Sequence, residues 1–367
     1  MRTQRPNFIL LMPDQQRRDS LGCYGNTFVE TPNLDRLSRN GVTFDSALTP
    51  WPVCTPARAT MWTGLYPHSH RVIFNRYGID DVFKNDGVVE PIFKTFKDGG
   101  YTTAYYGKWH LGEIDEPGRF DIWEGCNSHG GHWEDGFDPF KDGTYRSEKQ
   151  TESCIEFLKS QSAKEKPFIM VQGYYPPHNP YTAPREFQEL YAGKGIPFPN
   201  YYASVSALDH YTGQILDTLE SQGLLENTVV MYFSDHGETF NYREFTPHKY
   251  VCHEESIRSP LIISQLGTLP AGKRVSQMVG LQDLAPTLLD MAGLALPYQM
   301  HGKSLSPLLL GEQTTWRDSF YIENEKRKIR TPQRCVRTEE AKLILSGDEQ
   351  HHFYDLQLDP GEELNLF

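Results

Sequence analysis

Apolar positions along this 367-residue chain fall into two alternating kinds of segment. The first kind is short and continuous, as in Phe8-Ile9-Leu10-Leu11-Met12, Phe168-Ile169-Met170-Val171 and the run 228–234. Such runs, bounded by polar residues, predict strands buried on both faces of a parallel sheet. Residues 102–106 and 260–264 read the same way. The second kind repeats with a helical period. Between Tyr201 and Gln222, Val205, Leu208, Ile215, Leu216 and Leu219 form one apolar stripe. Thr31-Pro32 opens a helix over 32–40, with Thr as N-cap and Pro in the first turn, and Asn40-Gly41 closes it. Pro56 suits the first turn of a helix running to Trp62, which puts Cys54 at or just before a helix N-terminus. Further helices are predicted over 91–97, 147–160 and 281–292. Strands alternating with helices predict an α/β fold, a large and mostly parallel doubly wound sheet flanked by helices.

Two stretches break the alternation. Residues 113–146 are rich in Gly, Asp, His and Trp with no clear period, and 236–256 is similarly irregular, so both read as long loops of the kind that carry function. From about residue 318 the pattern changes to short half-polar strands: Phe320-Tyr321-Ile322, Cys335-Val336-Arg337, Leu343-Ile344-Leu345 and His352-Phe353-Tyr354. Their hairpin-like spacing predicts a small antiparallel C-terminal subdomain over 318–367, packed on a large domain over 1–317.

Composition narrows the function. A formal charge of −12 excludes a nucleic-acid binder, because phosphate backbones are met by clustered Lys and Arg. It does not exclude a small anionic substrate, since a few cations in one pocket dominate locally. Twenty Tyr, 20 Phe and 6 Trp suit either a sugar-stacking cleft or an aromatic core. The six cysteines, Cys23, Cys54, Cys126, Cys154, Cys252 and Cys335, form no close pair, so free thiols in a reducing compartment are expected. The apolar run after Met1 is too short for a signal h-region and ends in Pro13-Asp14. No segment has the length of a membrane span. A cytoplasmic protein is expected, or a periplasmic one had a leader been removed.

The candidate chemistry sits where predicted strands end, the usual place for ligands in open α/β sheets. The first strand ends in Asp14-Gln15. Strand 102–106 leads into Gly107-Lys108-Trp109-His110-Leu111-Gly112, and strand 168–172 into Pro176-Pro177-His178-Asn179-Pro180-Tyr181. Strand 228–234 ends in Asp235-His236-Gly237-Glu238. Singly, each has a plain explanation as a turn or cap. Cys54-Thr55-Pro56-Ala57-Arg58 followed by Thr63-Gly64 adds a lone cysteine, unsuited to a zinc knuckle or redox pair, which need a second thiol two residues away.

In this order the segments resemble the type I, formylglycine-dependent sulfatase family of the alkaline phosphatase superfamily. The resemblance covers nearly the whole chain. Gly22-Cys23-Tyr24-Gly25 and Thr31-Pro32-Asn33-Leu34-Asp35 match the family's opening block. Lys249 before Arg258-Ser259-Pro260-Leu261 matches a later one, and Tyr354-Asp355-Leu356 through Asn365-Leu366 the C-terminal strand and tail. The resemblance implies that a maturation enzyme oxidises Cys54 to formylglycine, whose hydrate attacks a sulfate monoester, on a sugar by expectation. It also implies one divalent metal at Asp14, Gln15, Asp235 and His236, completed by an oxygen from residue 54. Oxygen-rich ligation places Ca²⁺ first, with Mg²⁺ or Mn²⁺ open because of the imidazole. By the same resemblance Arg58 fixes the hydrated aldehyde, and Lys108 and Lys249 neutralise sulfate oxygens. His178 or Lys249 protonates the leaving alkoxide, and His110 takes the proton whose removal expels sulfate and restores the aldehyde.

The chain departs from the family at several positions. Many members carry Asp where Gln15 stands and Asn where His236 stands, so the expected metal site is less negative. Ala57 and Trp62 replace a common Ser and Leu. The chain is short between 182 and 200 and in its C-terminal part, which implies a more open site or one completed by a second copy in a homo-oligomer. Candidate substrate contacts are His129, His132 and Trp133, with His68, His70, Arg71, Asn75 and Arg76. Two other readings keep part of the pattern: a phosphonate monoester or phosphodiester hydrolase with the same fold, and an unmodified protein that binds sulfated glycans. The second explains the full polar set poorly, because binding alone needs no combination of metal ligands, nucleophile and two histidines.

Overall fold

The computed structural model describes residues 5–75, 81–83, 89–112, 118–127, 131–134, 143–160, 165–242, 248–325, 331–347 and 350–367. Its centre is a sheet in the order β4-β3-β5-β1-β6-β8-β2-β7, with β9 joined to β2. The strands are β1 (Asn7–Met12), β2 (Val42–Leu48), β3 (Thr102–Lys108), β4 (Ile122–Cys126), β5 (Phe168–Gly173), β6 (Thr228–Phe233), β7 (Arg258–Ser259), β8 (Leu261–Ser264) and β9 (Lys273–Gly280). The block β4-β3-β5-β1-β6 is parallel throughout. The strand expected over 260–264 is present as β8 but runs antiparallel to β6, and β2 runs antiparallel to β8.

The uninterrupted apolar run of β1 has a simple cause. Phe8, Leu10 and Met12 face one apolar layer with Trp62, Phe93 and Leu288, while Ile9 and Leu11 face the other with Phe157, Leu208 and Leu219. Side chains alternate across a strand, so a strand covered on both faces must be apolar at every position. Long helices supply those covers, notably Pro199–Ser221 and Arg146–Lys159 on one side and Cys54–Thr63 and Leu284–Met291 on the other.

Helix Pro32–Arg39 forms with Thr31 at the N-cap position, but the Thr31 hydroxyl accepts the Gly22 N–H instead of capping. The helix N-terminus is served across space by Asp209, whose carboxylate accepts the N–H groups of Asn33 (3.2 Å) and Leu34 (2.7 Å). The expected loop 113–146 contains β4, paired in parallel with β3. Residues 113–117, 128–130 and 135–142 of that stretch lie outside the described residues.

The C-terminal strands form a separate antiparallel sheet in the order β10-β11-β12-β13: Ser319–Asn324, Gln333–Thr338, Ala341–Ser346 and His352–Asp355. A buried ionic cluster joins this sheet to the segment following Lys249. Lys342 pairs with Glu254 (2.9 Å) and Glu362, Arg337 with Glu254 (2.9 Å), and Glu362 accepts the Glu254 N–H (2.8 Å). Burial opposes the Glu362 charge, yet Lys342 and then His253 draw its carboxyl from 4.5 down to about 2. A carboxylate with a depressed folded value contributes stability that is full above its unfolded value and disappears as pH falls through the folded one. Wild-type stability should therefore drop between pH 4.5 and about 2. Glu362→Gln should weaken that dependence and lower stability at pH 7 by on the order of 2–3 kcal/mol, read by urea denaturation across pH. Equal slopes for the two proteins would refute this.

Candidate active site

Four strands that are neighbours in the sheet, β3-β5-β1-β6, run in the same direction and deliver their C-terminal ends to one edge. That edge receives Lys108 and His110 from β3, Tyr175 and His178 from β5, Asp14 and Gln15 from β1, and Asp235 and His236 from β6. Helix Cys54–Thr63 begins at the same edge, with Cys54 its first residue and the whole helix buried. The Asn75 side chain accepts the Thr55 N–H at 3.0 Å, so one of the free donors at the helix start is satisfied. The ten positions singled out by sequence for catalysis or metal binding thus belong to one constellation, nine of them from strand ends or this helix and Lys249 from the 236–256 segment.

Cys54 Sγ is its focus. It lies 3.2 Å from His236 Nε2, 3.5 Å from Asp14 Oδ1, 3.0 Å from Lys249 Nζ and 3.9 Å from Lys108 Nζ. Ligand atoms of Asp14, Cys54, Asp235 and His236 all lie within 4.8 Å of one another, close enough to share one metal ion. Gln15 Oε1 accepts from Lys249 Nζ at 2.7 Å and so points to the same place. The residues present fit a divalent cation: buried oxygen donors from two carboxylates and an amide, plus one imidazole.

Arg58 organises the carboxylates. Its Nε donates to Asp235 at 3.1 Å, one terminal nitrogen to Asp14 at 2.9 Å and the other to the Lys108 carbonyl, all with no exposure. Lys108 adds a second cation 2.8 Å from Asp14, and its ammonium sits 4.4 Å above the Tyr175 ring. Burial alone would raise the Asp14 carboxyl, but Lys108, Arg58 and Lys249 hold it well below the usual carboxylate range. Burial and Asp14 oppose ionisation of Cys54, yet Lys108, Lys249 and His236 pull the thiol below its ordinary value. His110 and His178 are both pushed well down by burial and neighbouring lysines, so both imidazoles are neutral near pH 7. His178 Nδ1 lies 2.6 Å from the Asn179 carbonyl, which assigns the proton to Nδ1 and leaves Nε2 to accept from Lys249 at 3.0 Å. Burial would lower the Lys249 ammonium, but Cys54 and Asp14 raise it.

The backbone is strained where it presents these groups. Gln15 (φ 63°), His110 (φ 59°), His248 (φ 53°) and Tyr250 (φ 76°) all take left-handed conformations without being glycine. Two of the four flank Lys249.

Several expected substrate contacts have structural occupations instead. His70 is buried, within 2.9 Å of the Thr60 hydroxyl, and burial lowers it to about 3. Asn75 serves the helix start as described. Trp133 is buried with its indole N–H on Thr182, and His132 is buried against the same hydroxyl. His68 and Arg71 are exposed, His68 pairing with Glu323 at 2.9 Å. His129 and Arg76 lie outside the described residues. Sequence reading missed the importance of Glu238, a fully buried carboxylate that accepts from Gln15 Nε2. Its place directly after Asp235-His236-Gly237 was the available signal.

The model of the sulfatase family matches residues 6–294, and that of the N-sulphoglucosamine sulphohydrolase C-terminal region matches 244–367. The N-acetylglucosamine-6-O-sulfatase of Bacteroides thetaiotaomicron is 28% identical, over 100% of this chain and 83% of its own. A structure solved with its substrate D-glucosamine-2-N,6-O-disulfate is 25% identical with a TM-score of 0.85, covering 99% of this chain and 94% of that one. The phosphonate monoester hydrolase of Agrobacterium radiobacter shares the fold, with a TM-score of 0.85 at 21% identity over 99% and 91% of the two chains. With a family model spanning most of its length and the strand-end constellation in place, the chain belongs to the sulfatase family.

Proposed function

We propose that the protein hydrolyses a sulfate monoester on a carbohydrate, using formylglycine derived from Cys54 and one divalent cation, Ca²⁺ first among the candidates. The observation that carries this reading is the position of Cys54 Sγ: a buried helix start where Asp14, His236, Lys108 and Lys249 converge. A structural cysteine needs no such surroundings, whereas a reacting group does. Sugar sulfates are favoured by the relatives, one named for N-acetylglucosamine-6-O-sulfate chemistry and one solved with a glucosamine disulfate.

Asp14, Gln15, Asp235 and His236 would hold the cation, which supplies Lewis-acid polarisation at the sulfate. The protein's own groups do the rest. Lys108 and Lys249 set two ammonium groups around Cys54, where they offset charge on sulfate oxygens. Arg58 pairs with Asp14 and Asp235 and aims both carboxylates at that point. Neutral His110 suits the base that takes a proton from the converted residue. His178 and Lys249 share one hydrogen bond with the proton on the lysine side, so the pair, rather than His178 alone, supplies the proton to the leaving alkoxide.

The second reading, a phosphonate monoester or phosphodiester hydrolase, is kept because a hydrolase of that class shares this fold. A hydrolysis screen of sulfated monosaccharides, aryl sulfates, phosphonate monoesters and phosphodiesters with matured protein separates the two. Faster turnover of the phosphorus esters than of every sulfate would transfer the assignment to the second class.

Two predictions follow from the site chemistry. Peptide mass spectrometry after co-expression with a maturation enzyme should show loss of the thiol at Cys54 and at none of the other five cysteines, and Cys54→Ala should abolish turnover. Conversion elsewhere, or full activity in Cys54→Ala, would sink the proposal. Lys249→Met and His178→Ala should each lose about 10²–10⁴-fold on sugar sulfates, whose alkoxides leave poorly. His178→Ala should lose far less on an aryl sulfate with an acidic phenol, whereas Lys249→Met, which also removes an ammonium facing the sulfate, should lose on both. Similar losses on both ester classes in His178→Ala would remove the pair from the acid role.

A further inference from the structure

An amide side chain in a metal site presents a problem that a carboxylate does not. Its two ends are nearly the same size, yet only the oxygen can ligate a cation, so something must decide which end enters. At Gln15 that decision has a visible cause. Gln15 Nε2 donates to Glu238 Oε2, and Oε1 is thereby turned toward Lys249 Nζ, 2.7 Å away and itself 3.0 Å from Cys54 Sγ. A carboxylate accepts and cannot donate, so Glu238 can pair with the NH₂ end alone.

Glu238 is itself fixed on every side. It has no solvent exposure. The Tyr181 hydroxyl donates to Oε2 at 2.7 Å, the Phe240 N–H donates to Oε1 at 2.7 Å, and His248 Nδ1 lies 3.2 Å from Oε1. The directly paired charges are Asp14 and Asp235 with Arg58, and Asp14 with Lys108, while Glu238 reaches the centre through Gln15. Loss of Glu238 would remove a buried negative charge from behind Gln15 and so weaken the attraction for a further positive ion.

We propose that Glu238 is a positioning residue for the metal centre: it orients the Gln15 amide so that its oxygen faces the cation, and restores from one layer back the negative charge that Gln15 lacks. The proposal rests on the metal reading above. The oxygen has two lone pairs, so the Lys249 hydrogen bond and a metal bond are compatible.

Calorimetric titration of Ca²⁺ into metal-stripped matured protein tests it, together with the Ca²⁺-induced rise in the unfolding midpoint. Glu238→Gln should weaken Ca²⁺ about 10–100-fold, as loss of an outer partner of a metal ligand does. The double variant Gln15→Asp/Glu238→Gln, which moves the carboxylate to position 15 and lets the new amide donate to it, should recover most of that loss. A purely structural role predicts a lower metal-free midpoint with an unchanged Ca²⁺ increment. Should Glu238→Gln not fold, Tyr181→Phe removes one bond to the same carboxylate and should weaken Ca²⁺ a few-fold. Wild-type affinity in Glu238→Gln, or in Tyr181→Phe where that replaces it, or no recovery in the double variant, would overturn the positioning role while leaving the metal site standing. Failure of the wild-type protein to bind any divalent ion would overturn both.

Discussion

Two carboxylates without solvent, Asp14 and Asp235, set the terms for everything around them. Leaving such a charge unpaired in a protein interior costs several kcal/mol, so the fold must bring cations to it. Arg58 does this with one planar group, reaching the end of β1, the end of β6 and the carbonyl that closes β3. A lysine also has three donors, but on one freely rotating nitrogen, so it would not fix three directions as the planar fork does. The guanidinium therefore ties the helix that carries Cys54 to three of the strand ends it must face. The order of strands is part of the same constraint, because β1 lies between β5 and β6 and brings its neighbours' termini within reach.

Much of this was legible in the sequence because the relevant signals were dense and local. Continuous apolar runs identified β1, β5 and β6, and the polar clusters immediately after them are the residues that the fold brings together at one edge. What escaped was weaker in kind. β9 (Lys273–Gly280) has exposed positions on an edge, and β2 mixes Thr, Asp and Ser into its run, so neither shows a clean period. β4 sits in a stretch whose Gly and Trp content reads as loop. The reversal of β8 is set by its partners and has no local signature.

Side-chain occupations were harder still, because they depend on what arrives from distant segments. His70, Asn75, His132 and Trp133 looked available for a ligand and are instead bound to Thr60, Thr55 and Thr182. Thr31 had the right position for a cap, but Asp209, 178 residues further along the chain, took that part. Conversely Glu238 lay in plain view and acquired meaning only when Gln15 was seen to lean on it.

The left-handed backbone at Gln15, His110, His248 and Tyr250 bears on how this protein can change. Each such residue holds a conformation that costs on the order of 1–2 kcal/mol for a side chain with a Cβ. Glycine would relieve that cost at once, so a search that rewarded heat resistance alone would be drawn to these four positions before most others. It would then trade away, one substitution at a time, the side chains that the strain exists to display. Selection for robustness and selection for turnover pull in opposite directions at the same few backbone angles.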